Sequence, residues 1–176
     1  MVTSMTLGDA MVVAGRDDIV ADLHRRHYRD LVRLAGLLLH DAGASEEVVQ
    51  DAFVALHLRW RRLRDPERAA AWLRSAVLNG ARSRLRHLEV RRRHQPLAPT
   101  SSGSAEDAAL AGGADGRVLA ALATLPGRQR EAVVLRFYLD LSEAEMADAM
   151  GVSAGSVKTH LHRGLAALSH HLGGPA

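Results

Sequence analysis

The chain's densest run of binding chemistry is Gly155-Ser156-Val157-Lys158-Thr159-His160-Leu161-His162-Arg163. Placed on a helix at 100° per residue, Val157, Leu161, Leu165 and Leu168 fall on one side and are expected to face a core. Gly155, Ser156, Thr159, His162 and Arg163 fall on the other, with Lys158 flanking them. Small residues let a helix enter the DNA major groove. Hydroxyl, imidazole and guanidinium groups can then reach base edges or phosphates. A helical hairpin with a polar surface is the alternative.

A second concentration is electrostatic. From Arg59 to His94 there are twelve arginines and three acids (Asp65, Glu67 and Glu89), a net of +9 in a chain whose total is +3. An arginine block of this density is a footprint for phosphate. The competing reading is a solvated face in a chain that prefers Arg, since Lys158 is the one lysine. Immediately upstream, Asp41 to Leu58 holds four acids and no Lys or Arg.

Catalytic and metal chemistry are not expected. Cysteine is absent, which removes disulfides and Cys-based zinc sites. Of the ten histidines, His24 and His27 are three apart, and His160 and His162 are two apart. No carboxylate at good spacing completes either set, so neither metal nor cofactor is expected. Phosphate-loop and H-E-x-x-H signatures are missing, and no enzyme is expected. No apolar run reaches eighteen residues and the start has no basic-then-apolar leader. A soluble cytoplasmic protein without membrane insertion is expected.

The elements that must position these groups are helical. Aromatics make up only 3% of the chain, so cores must be built from Leu, Val and Ala, a palette that favours helix. Residues 1–16 show no sustained period and read as a disordered tail. From Ile19 the apolar spacing is helical through Leu38, and Asp41-Ala42-Gly43-Ala44 breaks it. Ser45 is expected to cap a second helix with Val48, Val49, Ala52, Phe53 and Leu56 as its apolar stripe. Glu47, Gln50 and Asp51 lie on the opposite side. Pro66 suits the start of a third helix, running from about Glu67 to Arg93. On it Leu73, Ala76, Val77 and Gly80 share one face, and Trp72, Asn79, Ser83 and Arg86 form a neighbouring stripe. Residues 95–116 carry prolines, serines and Gly112-Gly113 without an apolar period, and read as a flexible or extended linker.

Past the linker, Pro126 marks another helix start. Ser142 and Glu145 have the spacing of a capping box. Gly151 suits a left-handed stop, and Ser153 suits a cap for a last helix running to about Leu172. A short helix, a glycine turn and a second helix describe a helix-turn-helix. The expected architecture is all-α, with two small helical domains, 17–94 and 117–176, joined by the linker.

LPGRQREAVVLRFYLDLSEAEMADAMGVSAGSVKTHLHRGLAAL resembles region 4 of bacterial sigma factors, and is also similar to the DNA-binding end of LuxR-type regulators. SEEVVQDAF followed by RLRDPERAAAWLRSAVLNGARSRLRH resembles region 2 of extracytoplasmic-function (ECF) sigma factors. The order of the two halves and the linker length match the minimal two-domain members. A LuxR-like regulator acting without polymerase is the alternative, but the strands of a receiver domain are not apparent.

The resemblance implies a factor that binds core RNA polymerase and directs promoter-specific initiation. In the family the acidic helix docks on the β′ clamp helices, here Glu47, Gln50 and Asp51, and the second module meets the β flap. The loop after that helix captures a flipped minus-ten base, which brings in Leu63 and Arg64. Asn79 matches the base-contacting asparagine, an amide being able to donate and accept along a base edge. Arg82, Ser83 and Arg86 join it on the minus-ten side, where arginines can hold phosphates of the melted strand. Ser156, Lys158, Thr159, His162 and Arg163 would read the minus-thirty-five element. An anti-sigma factor is a further implied partner. Leu63 stands where relatives often carry an aromatic residue, and Gly164-Leu165 replaces a usual Ala-Arg pair.

Overall fold

The computed structural model describes residues 7–63, 65–94 and 114–173, with side chains described over 17–60, 65, 68–91 and 116–173. Seven α-helices and no strand occur among the described residues: α1 (Leu7–Leu39), α2 (Ala42–Leu63), α3 (Pro66–His94), α4 (Ala114–Thr124), α5 (Gly127–Phe137), α6 (Glu143–Met150) and α7 (Ala154–Leu172). The all-α expectation holds.

Helices α1, α2 and α3 pack on one another as a three-helix body. Leu34, Leu56, Leu73, Val77 and Leu78 are fully buried in it, with Phe53 and Trp60 nearly so. Truncating one such leucine to Ala costs about 2–5 kcal/mol. Val49, Ala52, Phe53 and Leu56 are buried as the α2 stripe requires. Gly80 lets α3 approach α2 closely: a Cβ there would lie 2.7 Å from Val48 Cγ1.

Two local expectations for this body are corrected. Helix α1 begins at Leu7, so residues 7–16 are helical rather than loose. Once a helix is nucleated, each further residue gains a hydrogen bond for one more fixed pair of dihedrals, and a weak sequence can extend it. Helix α2 begins at Ala42, and its cap is Asp41, whose Oδ1 accepts from Ala44 N at 2.9 Å. Ser45 is instead buried one turn in, its hydroxyl donating to the Asp41 carbonyl at 2.5 Å. The earlier capping residue wins because Ser45 turns inward toward α1, with its Oγ beside Gly36.

In the second body α7 packs on α4, α5 and α6. Its caps follow the local sequence. Ser142 Oγ accepts from Glu145 N, and Glu145 Oε2 accepts from Ser142 N at 2.9 Å, which closes the capping box. Hydrogen bonds from the Ser142 hydroxyl and backbone hold the Glu145 carboxyl below its ordinary range. Gly151 takes the left-handed conformation at φ 65°, and Ser153 Oγ accepts from Ser156 N at 3.2 Å.

The core face of α7 is displaced from the expected one. Val157 and Leu168 are buried, but Leu165 is 39% exposed and Gly164 is buried in its place. A Cβ on Gly164 would lie 2.8 Å from Val133 Cγ2 and 3.1 Å from the Gln129 carbonyl oxygen. The absence of a side chain draws α5 onto α7 at that point, which rotates Leu165 toward solvent.

The two bodies are in contact. α6 lies against α3, and α4 and α5 lie against α1. The linker expected over 95–116 falls outside the described residues as far as 113, and α4 begins at Ala114 within its last turn.

Candidate nucleic-acid and polymerase interfaces

Glu47, Gln50 and Asp51 are all exposed on α2. At 100° per residue they share a stripe with Val54 and Leu58, which are 61% and 78% exposed. The face is thus acidic at one end and apolar at the other. The three- and four-residue spacing from Glu47 that aligns the acidic residues also carries Val54 and Leu58 onto the same face. Glu47 Oε2 also pairs with Arg84 at 3.2 Å, tying the stripe to α3.

On α3, Asn79 and Arg86 are exposed and Ser83 is half-buried. Ser83 lines an open groove of about 470 Å³ between α2 and α3, along with Trp72, Ala76, Gly80 and Arg59. Trp72 is half-buried in this wall, with the Arg59 guanidinium 5.9 Å from its ring centre, within cation–π range. The Leu63 side chain and Arg64 lie outside the described residues.

Arg82 is placed otherwise than the phosphate role requires. Its Nε donates to Glu131 Oε1 at 2.8 Å and its Nη2 to Glu131 Oε2 at 2.7 Å, a bidentate pair with a residue of α5. Nη2 also reaches the Met150 carbonyl at 3.3 Å, and Nη1 donates to Asn79 Oδ1 at 2.8 Å. The sequence could not anticipate this, because Glu131 lies 49 residues away.

On α7, Lys158, Thr159, His162 and Arg163 are exposed and Ser156 is half-buried, so the outward set stays together. Lys158 Nζ pairs with Glu143 Oε2 at 3.4 Å, across the turn of the helix-turn-helix. The Thr159 hydroxyl donates to the Gly155 carbonyl at 3.0 Å, which leaves its oxygen to act as an acceptor. Residues 151–155 spell G-x-S-x-G, yet no strand leads into them. Ser153 serves as the α7 cap and shares a hydrogen bond with Ser156 Oγ at 2.9 Å. This is a turn between helices, unlike the strand-to-helix elbow that the pattern marks in hydrolases. No group of three or more metal-ligating side chains occurs among the described residues.

Both halves match family models: residues 23–91 match Sigma-70 region 2 and residues 115–168 match Sigma-70 region 4. The chain is 34% identical to the RNA polymerase sigma-E factor of Streptomyces coelicolor over 145 residues, covering 81% of this chain and 79% of that one. It is 32% identical to the ECF RNA polymerase sigma factor SigM of Mycobacterium tuberculosis over 164 residues, covering 92% and 81%. The chain belongs to the ECF sigma factor family. Among solved structures, CnrH in complex with the cytosolic domain of CnrY superposes on this sigma factor with a TM-score of 0.69 at 27% identity, covering 93% of each chain. As a sigma factor it works with RNA polymerase in promoter-directed initiation. No described helix is long and apolar enough to cross a membrane.

Proposed function

We propose that the α1–α3 body acts as the polymerase-docking and minus-ten unit of this sigma factor, and the α4–α7 body as its minus-thirty-five unit. The observation that carries the assignment is the exposed polar and cationic set on α7, held at the start of a helix that a glycine turn joins to α6. That is the arrangement a recognition helix needs in the major groove. Ser156, Lys158, Thr159, His162 and Arg163 contact the minus-thirty-five duplex. The stripe Glu47, Gln50 and Asp51 docks on the basic β′ clamp helices of core polymerase, with Val54 and Leu58 adding apolar contact. Leu63, Arg64, Asn79, Arg82, Ser83 and Arg86 serve the minus-ten strand, Arg82 once freed from Glu131. The β flap receives the second body, an anti-sigma factor masks one or both bodies, and the protein acts in the cytoplasm without catalysis of its own.

The test is reconstitution with core polymerase and fragmented host DNA. Core alone should be silent. Core with this chain should initiate at discrete sites preceded by a shared pair of elements. Duplex binding without association to core would overturn the assignment.

A further inference from the structure

Arg82 and Glu131 form a charged pair between the two bodies, their side chains 19% and 5% exposed. The Arg82 guanidinium spends its donors on both Glu131 oxygens, the Met150 carbonyl and Asn79 Oδ1. Few N–H groups remain for a phosphate, and the Asn79 carbonyl oxygen is occupied as well.

A second tie lies one residue away. Arg130 Nη1 donates to the Leu38 carbonyl at 2.6 Å, in the last turn of α1. The first turn of α5 therefore grips α1 with one side chain and α3 with the next. Tyr138, just past the end of α5, lies close enough to Asp30 and Arg33 of α1 to feel their charges, and burial raises its pKa above the ordinary value.

Both ties have substitutes within the second body. Arg128 Nη1 already donates to Glu131 Oε2 at 3.2 Å and to the Met150 carbonyl at 3.0 Å, the same acceptors that Arg82 uses. Arg130 keeps the Leu122, Ala123 and Leu125 carbonyls at 2.9, 2.8 and 3.1 Å. Separating the bodies would leave Glu131 with a cation and Arg130 with acceptors. A buried pair broken without such replacements is strongly penalised, because one charge is stranded. This interface avoids that penalty on the α5 side. On the α3 side, a phosphate can replace the carboxylate on Arg82 with the same bidentate geometry.

From this we infer that α5 is a reversible latch: in the free protein it holds the two bodies together and masks Arg82, and single-stranded DNA phosphate competes with Glu131 for Arg82. The inference rests on the minus-ten assignment above. By linkage, whatever opens the latch strengthens DNA binding, and DNA opens the latch.

The chain has no cysteine, so a spin-label pair can be placed at Arg25→Cys and Ala166→Cys, both exposed positions on α1 and α7. Inter-label distances are measured on the full chain, with and without a random-sequence single-stranded DNA 20-mer, whose affinity is measured in parallel. The parent should show one short distance that lengthens when DNA is added. Glu131→Gln should lengthen it without DNA and tighten DNA binding about fivefold or more. Arg82→Gln opens the latch from the other side and should lengthen the distance equally. Asp140→Asn, which removes an exposed acid outside the latch, controls for net charge and should change neither reading. Unchanged distances in both latch variants would overturn the inference. So would a gain in affinity no larger for Glu131→Gln than for Asp140→Asn. Failure of the DNA assignment reads differently: the distance lengthens, but adding Arg82→Gln to Glu131→Gln leaves affinity where it was. That result would overturn the masking role while the latch itself stood.

Discussion

The Arg130 guanidinium donates to the Leu38 carbonyl at 2.6 Å, joining α5 to the end of α1 across 92 residues of sequence. The same side chain gathers three carbonyls at the end of α4. A cation at the carbonyl ends of two helices is favoured by both macrodipoles. Burial pulls Arg130 below the ordinary guanidinium range, and neighbouring Glu131 opposes that shift. Arg130→Gln removes the charge and most of the donors from buried acceptors. It should cost about 2–4 kcal/mol, since hydrogen bonds to a charged group contribute about 1.5–3 kcal/mol each and do not add. Urea unfolding of parent and variant checks this.

His40 follows α1 at φ 53°, with Nε2 buried and unpartnered. Burial, then the Arg130 charge, lowers its pKa from the usual 6.5. The sign follows directly. Above about pH 6.5 the imidazole is neutral in folded and unfolded chains, and its contribution is constant. Below that value the unfolded chain takes up the proton first, so stability falls until pH reaches the folded value. His40→Asn keeps a residue tolerant of positive φ and removes the titration. The fall in melting temperature between pH 6.5 and 5 should shrink in the variant.

Gly164 decides how closely α7 approaches α5. Ala would gain about 1 kcal/mol in helix propensity. It would also place a Cβ 2.8 Å from Val133 Cγ2 and 3.1 Å from a backbone oxygen that cannot rotate away. Overpacking of that kind costs about 1–3 kcal/mol, so Gly164→Ala should be destabilising by about 1 kcal/mol on balance. In a double-mutant cycle Gly164→Ala should cost less in a Val133→Ala background than in the parent, measured in the same denaturation assay.

Asn79→Ala should weaken promoter opening more than it weakens core binding, with a loss of about 1–3 kcal/mol for one base contact. Permanganate footprinting of open complexes measures this. Equal open-complex yield from variant and parent would remove Asn79 from the base-reading role.

Arg163→Ala should weaken binding to minus-thirty-five duplex and reduce the slope of log affinity against log salt by about 0.9 if the lost contact is to phosphate. A titration across salt concentrations reads the slope, and an unchanged slope would exclude that contact.

The features legible in the sequence are those decided within one turn of chain. The capping box of Ser142 and Glu145, the left-handed Gly151 and the Ser153 cap depend on partners three or four residues away, and they formed as read. The apolar stripe of α2 and the outward set of α7 follow from helical periodicity alone. Where two local solutions competed, the chain could not choose by itself. Asp41 rather than Ser45 caps α2 because Ser45 turns inward toward α1. Gly164 rather than Leu165 is buried because the shape of α5 admits it. The positions of Arg82, Glu131 and Arg130 belong to tertiary structure. Each is an ordinary charged residue on its own helix, and only the packing of α5 against α1 and α3 brings Arg82 to Glu131 and Arg130 to the Leu38 carbonyl.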